Sequence, residues 1–273
     1  MSHGDQSVEV NVRGRSKTLG VFFSSGDLGE VGMHVVAAAL ERASDEVNEI
    51  RVFSNHITSL DDRKWNCGCR TRHAFTERDR QRLKLICLDC TKDPLAIHLE
   101  GVDAVVSCLG NRKPFHPDCI AKAGTERIVQ AMMATDVRRL ALLSSVGIAE
   151  DWPPMEWSRE GGRLSGFFRT VCWTQYQDLS GAEQAVRLAE QLHADLDSLV
   201  VRTVLLGEHS PPSGKWFVQH QKHGDHPDHH LAKMDCARFL VQEAVHGTLS
   251  RRAVVVGGVP KQRHEAREKE NNA

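Results

Sequence analysis

Several things are scarce in this chain of 273 residues, and each scarcity excludes something. No apolar run approaches the roughly eighteen residues that cross a bilayer, so no membrane-spanning helix is expected. The opening MSHGDQSVEVNVRG has neither the apolar centre of a signal peptide nor the acid-free composition of a transit peptide, which predicts a cytosolic protein without a membrane partner. Charge of one sign is missing too: the formal net charge is −1, which gives no electrostatic case for nucleic acid as the main partner. The eight cysteines are scattered through apolar segments, as at Cys87, Cys108 and Cys172, and not spaced as a secreted disulfide framework, which suits a reducing compartment. Internal repeats are absent. Aromatic residues are only 5% of the chain, with a single tyrosine, Tyr176.

What is present is organised around Thr18 to Leu40, TLGVFFSSGDLGEVGMHVVAAAL. A short apolar run, Leu19 to Phe23, ends in small residues and passes Gly26, Gly29 and Gly32 before Val35, Val36, Ala39 and Leu40 repeat at helical spacing. The pattern predicts strand, turn, helix. Such a turn offers unpaired backbone N–H groups at the positive end of a helix dipole, with no Cβ atoms to hold a pyrophosphate away. The first glycine permits the tight turn and the last lets the helix pack on its strand. The spacing G-x-x-G-x-x-G differs from G-x-G-x-x-G, and Asp27 and Glu30 are carboxylates that repel phosphate unless they point to solvent.

Strand and helix then alternate. Glu49 to Ser54 reads as a second strand, followed by Asn55 and His56 with no acid to hold ribose hydroxyls and with Arg63 and Lys64 soon after, a pattern that favours NADP(H) over NAD(H). Ser54 and Asn55 are therefore candidate cofactor contacts. Residues 63–84 carry eight Lys or Arg against two acids. Their Cys67, Cys69 and His73 lack the spacing of a zinc knuckle, so the stretch reads as a solvated insertion and helix. Leu83 to Leu88 and Val102 to Leu109 are continuous apolar runs of the kind found in strands buried on both faces, with room for only a short helix between them. Residues 117–135 predict a helix, Arg139 to Leu143 a fifth strand closing on Ser144-Ser145, residues 178–193 a helix, Ser198 to Leu205 a sixth strand, residues 233–245 a helix and Arg252 to Val256 a last strand. The expected fold class is α/β, a doubly wound parallel sheet (Rossmann-like) with helices on both faces and a ligand site beyond the carboxyl ends of the strands.

In domain terms this is an extension over residues 1–17, one domain over 18–260, and a charged tail over 261–273 with no apolar face. Within the domain, residues 151–175 hold Trp152, Trp157, Phe167, Phe168 and Trp173 and read as a lid or a segment packed on the sheet edge. The histidines at 220, 223, 226, 229 and 230 have no fixed helical spacing and are broken by Pro227, so no metal is expected.

In this order and spacing, VFFSSGDLGEVGMHVV, LICLDCTKDPLAIHLEGVDAVVSCLG, GTERIVQAMMATDVRRLALLSSVG, YQDLSGAEQAVR with SLVVRTVLL, and AKMDCARFLVQEA resemble the atypical short-chain dehydrogenases of the NmrA-like group, in the branch that contains biliverdin-IXβ (flavin) reductase. The resemblance implies that Gly26, Gly29 and Gly32 hold the pyrophosphate, with Leu28 in the turn where the family often has threonine. It implies further that Asp89 lies beside the adenine, that Leu109 and Gly110 line the far side of the cofactor, and that Ser144 and Ser145 stand next to the nicotinamide. One departure concerns chemistry. Four positions after Tyr176 stands Ser180, so the Tyr-x-x-x-Lys pair is missing, and a tyrosine without that cation is a poor proton donor at neutral pH. Tyr176 is either a weak catalytic group beside Ser145 or packing for its helix. Two functions follow as expectations: a reductase passing hydride from NADPH to a small-molecule planar aromatic acceptor (flavin, quinone or tetrapyrrole), or a non-catalytic NADP(H) sensor acting through a regulatory protein partner.

Overall fold

Apolar runs that are continuous along β1 (Lys17–Phe23), β4 (Ala104–Cys108) and β5 (Arg139–Ser145) can be buried only between two layers of helix, and that is their position in a computed structural model of the chain. The structure describes residues 15–24, 30–55, 75–110, 119–148, 166, 169–207, 211–219 and 227–260. The remaining strands of the main sheet are β2 (Val47–Ser54), β3 (Leu83–Cys87), β6 (Asp197–Thr203), β8 (Phe217–Gln219) and β10 (Arg252–Gly257), in the order β3-β2-β1-β4-β5-β6-β10-β8. All neighbours are parallel except β8, which runs antiparallel to β10. A small second sheet pairs β7 (Leu205–Gly207) with β9 (His230–Ala232). The doubly wound parallel sheet was legible in the sequence; the antiparallel edge strand and the two-stranded sheet were not.

The helices are α1 (Glu30–Glu41), α2 (Glu77–Arg82), α3 (Ala96–Leu99), α4 (Ile120–Ala134), α5 (Trp173–Leu192) and α6 (Lys233–His246). Side chains alternate across each strand, so each face of the sheet gets its own core. Leu19, Val21 and Phe23 of β1 pack with Val35, Val36 and Ala39 of α1 and with Phe239 and Leu240 of α6. On the other face Phe22, Val105, Leu140 and Leu142 pack with Ile128 and Met132 of α4 and Val186 of α5. Phe22 and Phe53 are register partners on β1 and β2, and their rings stack 4.1 Å apart, a pair worth about 0.5–1.5 kcal/mol beyond the area it buries.

Some expected boundaries move. β5 continues through Ser144 and Ser145, because both residues still pair with Arg202 and Thr203 of β6. The helix expected over residues 178–193 begins five residues earlier, at Trp173, which brings Tyr176 into its first turn. β6 stops at Thr203, and Leu205 belongs to β7. The described cysteines are all free. No helix among the described residues is long and apolar enough to cross a membrane.

Candidate functional site

The sheet order reverses between β1 and β4. The chain leaves β1 toward β2 and leaves β4 toward β5, so the connections part above the strand ends and leave a crevice there. Phe23 and Cys108 are register partners at the rim. Just beyond them the Ser24 hydroxyl donates to the Gly110 carbonyl and accepts from the Gly110 N–H at 3.4 Å, tying the two strand ends together. From this rim α1 starts at Glu30, only a few residues past the end of β1, so its positive end points at the crevice. Gly32 explains how the helix comes so close: a Cβ there would lie 2.3 Å from the Phe23 ring. On the other side of the crevice Gly124 does the same for α4, since a Cβ would lie 2.4 Å from Leu109. Glycines that bring two helices down onto the strand ends, with the positive end of α1 above the switch point of a parallel sheet, fit a dinucleotide site.

At the β2 end, Ser54 is buried and accepts the Leu88 N–H through its carbonyl at 3.3 Å, while Asn55 is exposed just past the strand. Asp89 follows β3 on the same edge. Its carboxylate accepts from the Thr91 hydroxyl at 2.6 Å and the Thr91 N–H at 2.9 Å, and pairs with Lys92 at 3.0 Å. The Thr91 hydroxyl bond is the main reason its pKa falls to about 2, so Asp89 is ionised at any physiological pH.

At the β5 end the two serines separate. Ser144 is buried and its hydroxyl donates to Glu183 of α5 at 2.5 Å. The same carboxylate takes the Arg202 guanidinium of β6 at 3.2 Å and 2.8 Å, and both charged side chains are about 1% exposed. Since Arg202 is the register partner of Ser144, the two side chains emerge on one face, under α5. The Ser144 hydroxyl, expected beside the cofactor, is thus bonded inside the protein: a buried ion pair needs further hydrogen bonds, and Ser144 supplies one of them. Ser145 points to the opposite face by strand alternation, is half-buried, and donates to the Val146 carbonyl at 3.3 Å.

Tyr176 stands in the first turn of α5. Its ring stacks on Trp173 with centroids 5.5 Å apart, and the Arg169 guanidinium carbon lies over it at 5.5 Å. Two residues on, Asp178 is buried and accepts the N–H groups of Ala121 at 3.0 Å and Lys122 at 2.8 Å, which caps the start of α4 from another helix. Burial pushes the Asp178 carboxyl above its ordinary value, against the pull of those backbone donors.

Of the expected site residues, the structure brings Gly32, Ser54, Asn55, Asp89, Leu109, Gly110, Ser145 and Tyr176 to the carboxyl edge of one sheet. Gly26, Leu28 and Gly29, with Asp27, lie outside the described residues, as do His56 with Cys67, Cys69 and His73, the lid residues Trp152, Trp157, Phe167 and Phe168, and the histidines at 220, 223 and 226. The described His, Cys, Asp and Glu residues form no group of three or more able to hold a metal. Sequence reasoning missed Ser24, Asp178, Glu183 and Arg202. The last two had a visible signal, a charge inside an apolar run (SLVVRTVL) and one inside a small-residue helix (GAEQAV).

A short-chain dehydrogenase/reductase of Veillonella parvula, solved in complex with NADP, matches the structure with a TM-score of 0.61 at 14% identity, over 91% of this chain and 97% of that one. A candidate NADH-flavin reductase of Streptococcus pneumoniae matches with a TM-score of 0.59 at 15% identity, over 89% of this chain and all (100%) of that one. A candidate NAD-dependent epimerase/dehydratase of Bacillus halodurans gives 0.58 at 14% identity, over 93% and 100%. At these identities the likeness is one of fold. No curated protein matches the chain in sequence. The model of the NAD(P)H-binding family matches residues 26–246, which is most of the chain. The chain therefore belongs to the NAD(P)H-binding family, as the resemblance to atypical short-chain dehydrogenases implied.

Proposed function

We propose that the protein is an NADPH-dependent reductase of a planar aromatic acceptor, a flavin, quinone or linear tetrapyrrole, working without a tyrosine–lysine relay. The observation that carries this reading is the first turn of α5, where the Tyr176 ring is held by Trp173 and Arg169 and the position one turn on is Ser180. When bound, the nicotinamide supplies the hydride, so the protein has to orient two rings and let water supply the proton. The residues that would hold the cofactor are the glycine turn with Gly32 at the start of α1, Ser54 and Asn55 at the end of β2, Asp89 after β3, and Leu109 with Gly110 after β4. Asn55 in place of an acid leaves room for a 2′-phosphate, which favours NADP(H) over NAD(H). Ser145 is the hydroxyl at the β5 end that is left to bond the acceptor or the nicotinamide amide.

The test is consumption of NADPH with FMN or a quinone as acceptor, after titration with NADP+ and NAD+ by calorimetry. Ser145→Ala is expected to lower turnover about 10-fold to 100-fold with cofactor affinity nearly unchanged, and Tyr176→Phe to do much less. Equal affinity for the two cofactors sinks the NADP(H) preference. A collapse in Tyr176→Phe alone sinks the relay-free chemistry. One observation favours a second reading. Ser144 is withdrawn into the ion pair of Glu183 and Arg202, so of the two serines only Ser145 is left to act, which suits a non-catalytic NADP(H) sensor that acts through a protein partner. Tight NADPH binding with no acceptor reduced decides for the sensor.

A further inference from the structure

Tyr176 precedes Glu183 by seven residues, two turns of α5, so both side chains leave the same face of the helix. Glu183 is fixed against β5 and β6 by Ser144 and Arg202. Tyr176 therefore stands about 10 Å further along the helix axis, at 1.5 Å per residue, beyond the end of β5 and at the crevice. There it is framed by Trp173 and Arg169. Trp173 lies nearly parallel to the tyrosine, at 12°, and remains 50% exposed. A large aromatic ring half in solvent, with its plane set by a stacked neighbour, offers an acceptor a flat face at little entropic cost. Arg169 places a guanidinium on the same stack. With five donors in a fixed fork, it has hydrogen bonds to give to a phosphate or carboxylate even when some are engaged within the protein.

We propose that Trp173 and Tyr176 form the acceptor-binding face of the crevice, and that Arg169 selects planar aromatic acceptors carrying an anionic group over neutral ones. The proposal names the substrate class for the reductase reading and rests on it for chemistry, but the binding it asserts exists without turnover. It also separates the two anions of the reaction. In the sheet order, β5 lies three strands from β2, about 14 Å at the usual strand spacing, so Arg169 serves the acceptor and not the 2′-phosphate of the cofactor.

FMN and riboflavin share one ring system and differ by a phosphate, which makes them the probes. With NADP+ present, so that nothing turns over, each is titrated with the full chain and followed by quenching of flavin fluorescence. FMN is expected to bind about five-fold more tightly than riboflavin at low salt, with a smaller gap at high salt. Arg169→Gln should close the gap by weakening FMN several-fold more than riboflavin, with NADP+ affinity unchanged, and Trp173→Ala should weaken both flavins. Both side chains are exposed, so the variants keep the fold. Equal binding of the two flavins to the wild-type chain, a gap that survives Arg169→Gln, or no quenching by either flavin would overturn the proposal. If the gap is present and closes in Arg169→Gln, yet NADPH does not reduce bound FMN, the reductase reading falls and the anion-selecting face stands.

Discussion

The two edges of the sheet are built from different residues. At the amino edge, arginines reach the carbonyls at the ends of four helices. Arg82 donates to Ala39, Leu40 and Arg42 at the end of α1 and to Val47, at 2.8–3.2 Å. Arg51 holds His98 and Glu100 at the end of α3, Arg139 holds Glu243 near the end of α6, and Arg251 holds Glu190, Ala194 and Leu196 around the end of α5. At the carboxyl edge stand small residues instead: Ser24, Gly32, Ser54, Gly110, Ser145. Because each helix returns antiparallel to its strands, the negative ends of the helix dipoles collect at the amino edge and the positive ends at the carboxyl edge. Cations at one edge complete the fold, and small residues at the other leave room for the phosphates of a ligand. Helix capping and room for a ligand are thus set at opposite ends of the same strands, with the Glu183–Arg202 pair the charged group that holds the carboxyl edge together.

The largest expected effect comes from breaking the amino edge. Arg82→Leu leaves four carbonyls without their charged donor, and at about 1–3 kcal/mol for each group that water does not reach, a loss of about 3–4 kcal/mol is expected in chemical denaturation. NADP(H) affinity of the folded fraction should be unchanged; weakened binding would mean that the two edges are not independent.

His34 sits on α1, the helix that joins the edges, and is 6% exposed. Burial lowers its pKa from 6.5 to about 4. Between those values the unfolded chain is protonated at this side chain and the folded chain is not, so protons favour unfolding. Stability should be level above pH 6.5 on account of this residue, fall as pH drops through the window to about 4, and level off below it. The gap is worth on the order of 3 kcal/mol. The difference between the wild-type and His34→Leu stability curves measures it, and a flat difference over that window would show that His34 keeps its proton in the fold.

The smallest effect on stability, and the sharpest on function, is expected from Gly32→Ala. The new methyl group meets Phe23, itself 2% exposed and unable to swing away, at a cost of about 1–3 kcal/mol. Moving α1 off the end of β1 should weaken NADPH binding about ten-fold, which calorimetry reads directly. A variant that melts early but binds NADPH normally would place the pyrophosphate elsewhere than the start of α1.

Much of the fold was open to reading because burial on two faces imposes a pattern on a strand that survives without the rest of the protein. VDAVVSCL and RLALL can be little else, and Leu19 to Leu40 carries its turn in its glycines. The candidate site was legible where it is backbone: Gly32 follows from glycine spacing and the end of β4 at Leu109 and Gly110 from its apolar run, while their place beside a cofactor is what the resemblance implies. It was illegible where it depends on which face a side chain leaves. Ser144 and Ser145 are neighbours of one type, and only the charge of Glu183 arriving from 39 residues away turns the first inward.

By itself, then, the sequence determined the order of the parallel strands and the helices between them, the glycine spacing ahead of α1 and the absence of a lysine after Tyr176, since these are properties of local spacing. Tertiary structure decided what spacing cannot express. It placed Arg202 opposite Ser144, capped α4 with Asp178 from α5, clasped β1 to β4 through Ser24 and Gly110, and set Trp173 and Arg169 about Tyr176. The reason is physical. The spacing signals come from covalent geometry and from burial repeated along one segment, whereas a buried charge or hydroxyl takes its position from the partner that offsets its desolvation, and that partner comes from a distant part of the chain.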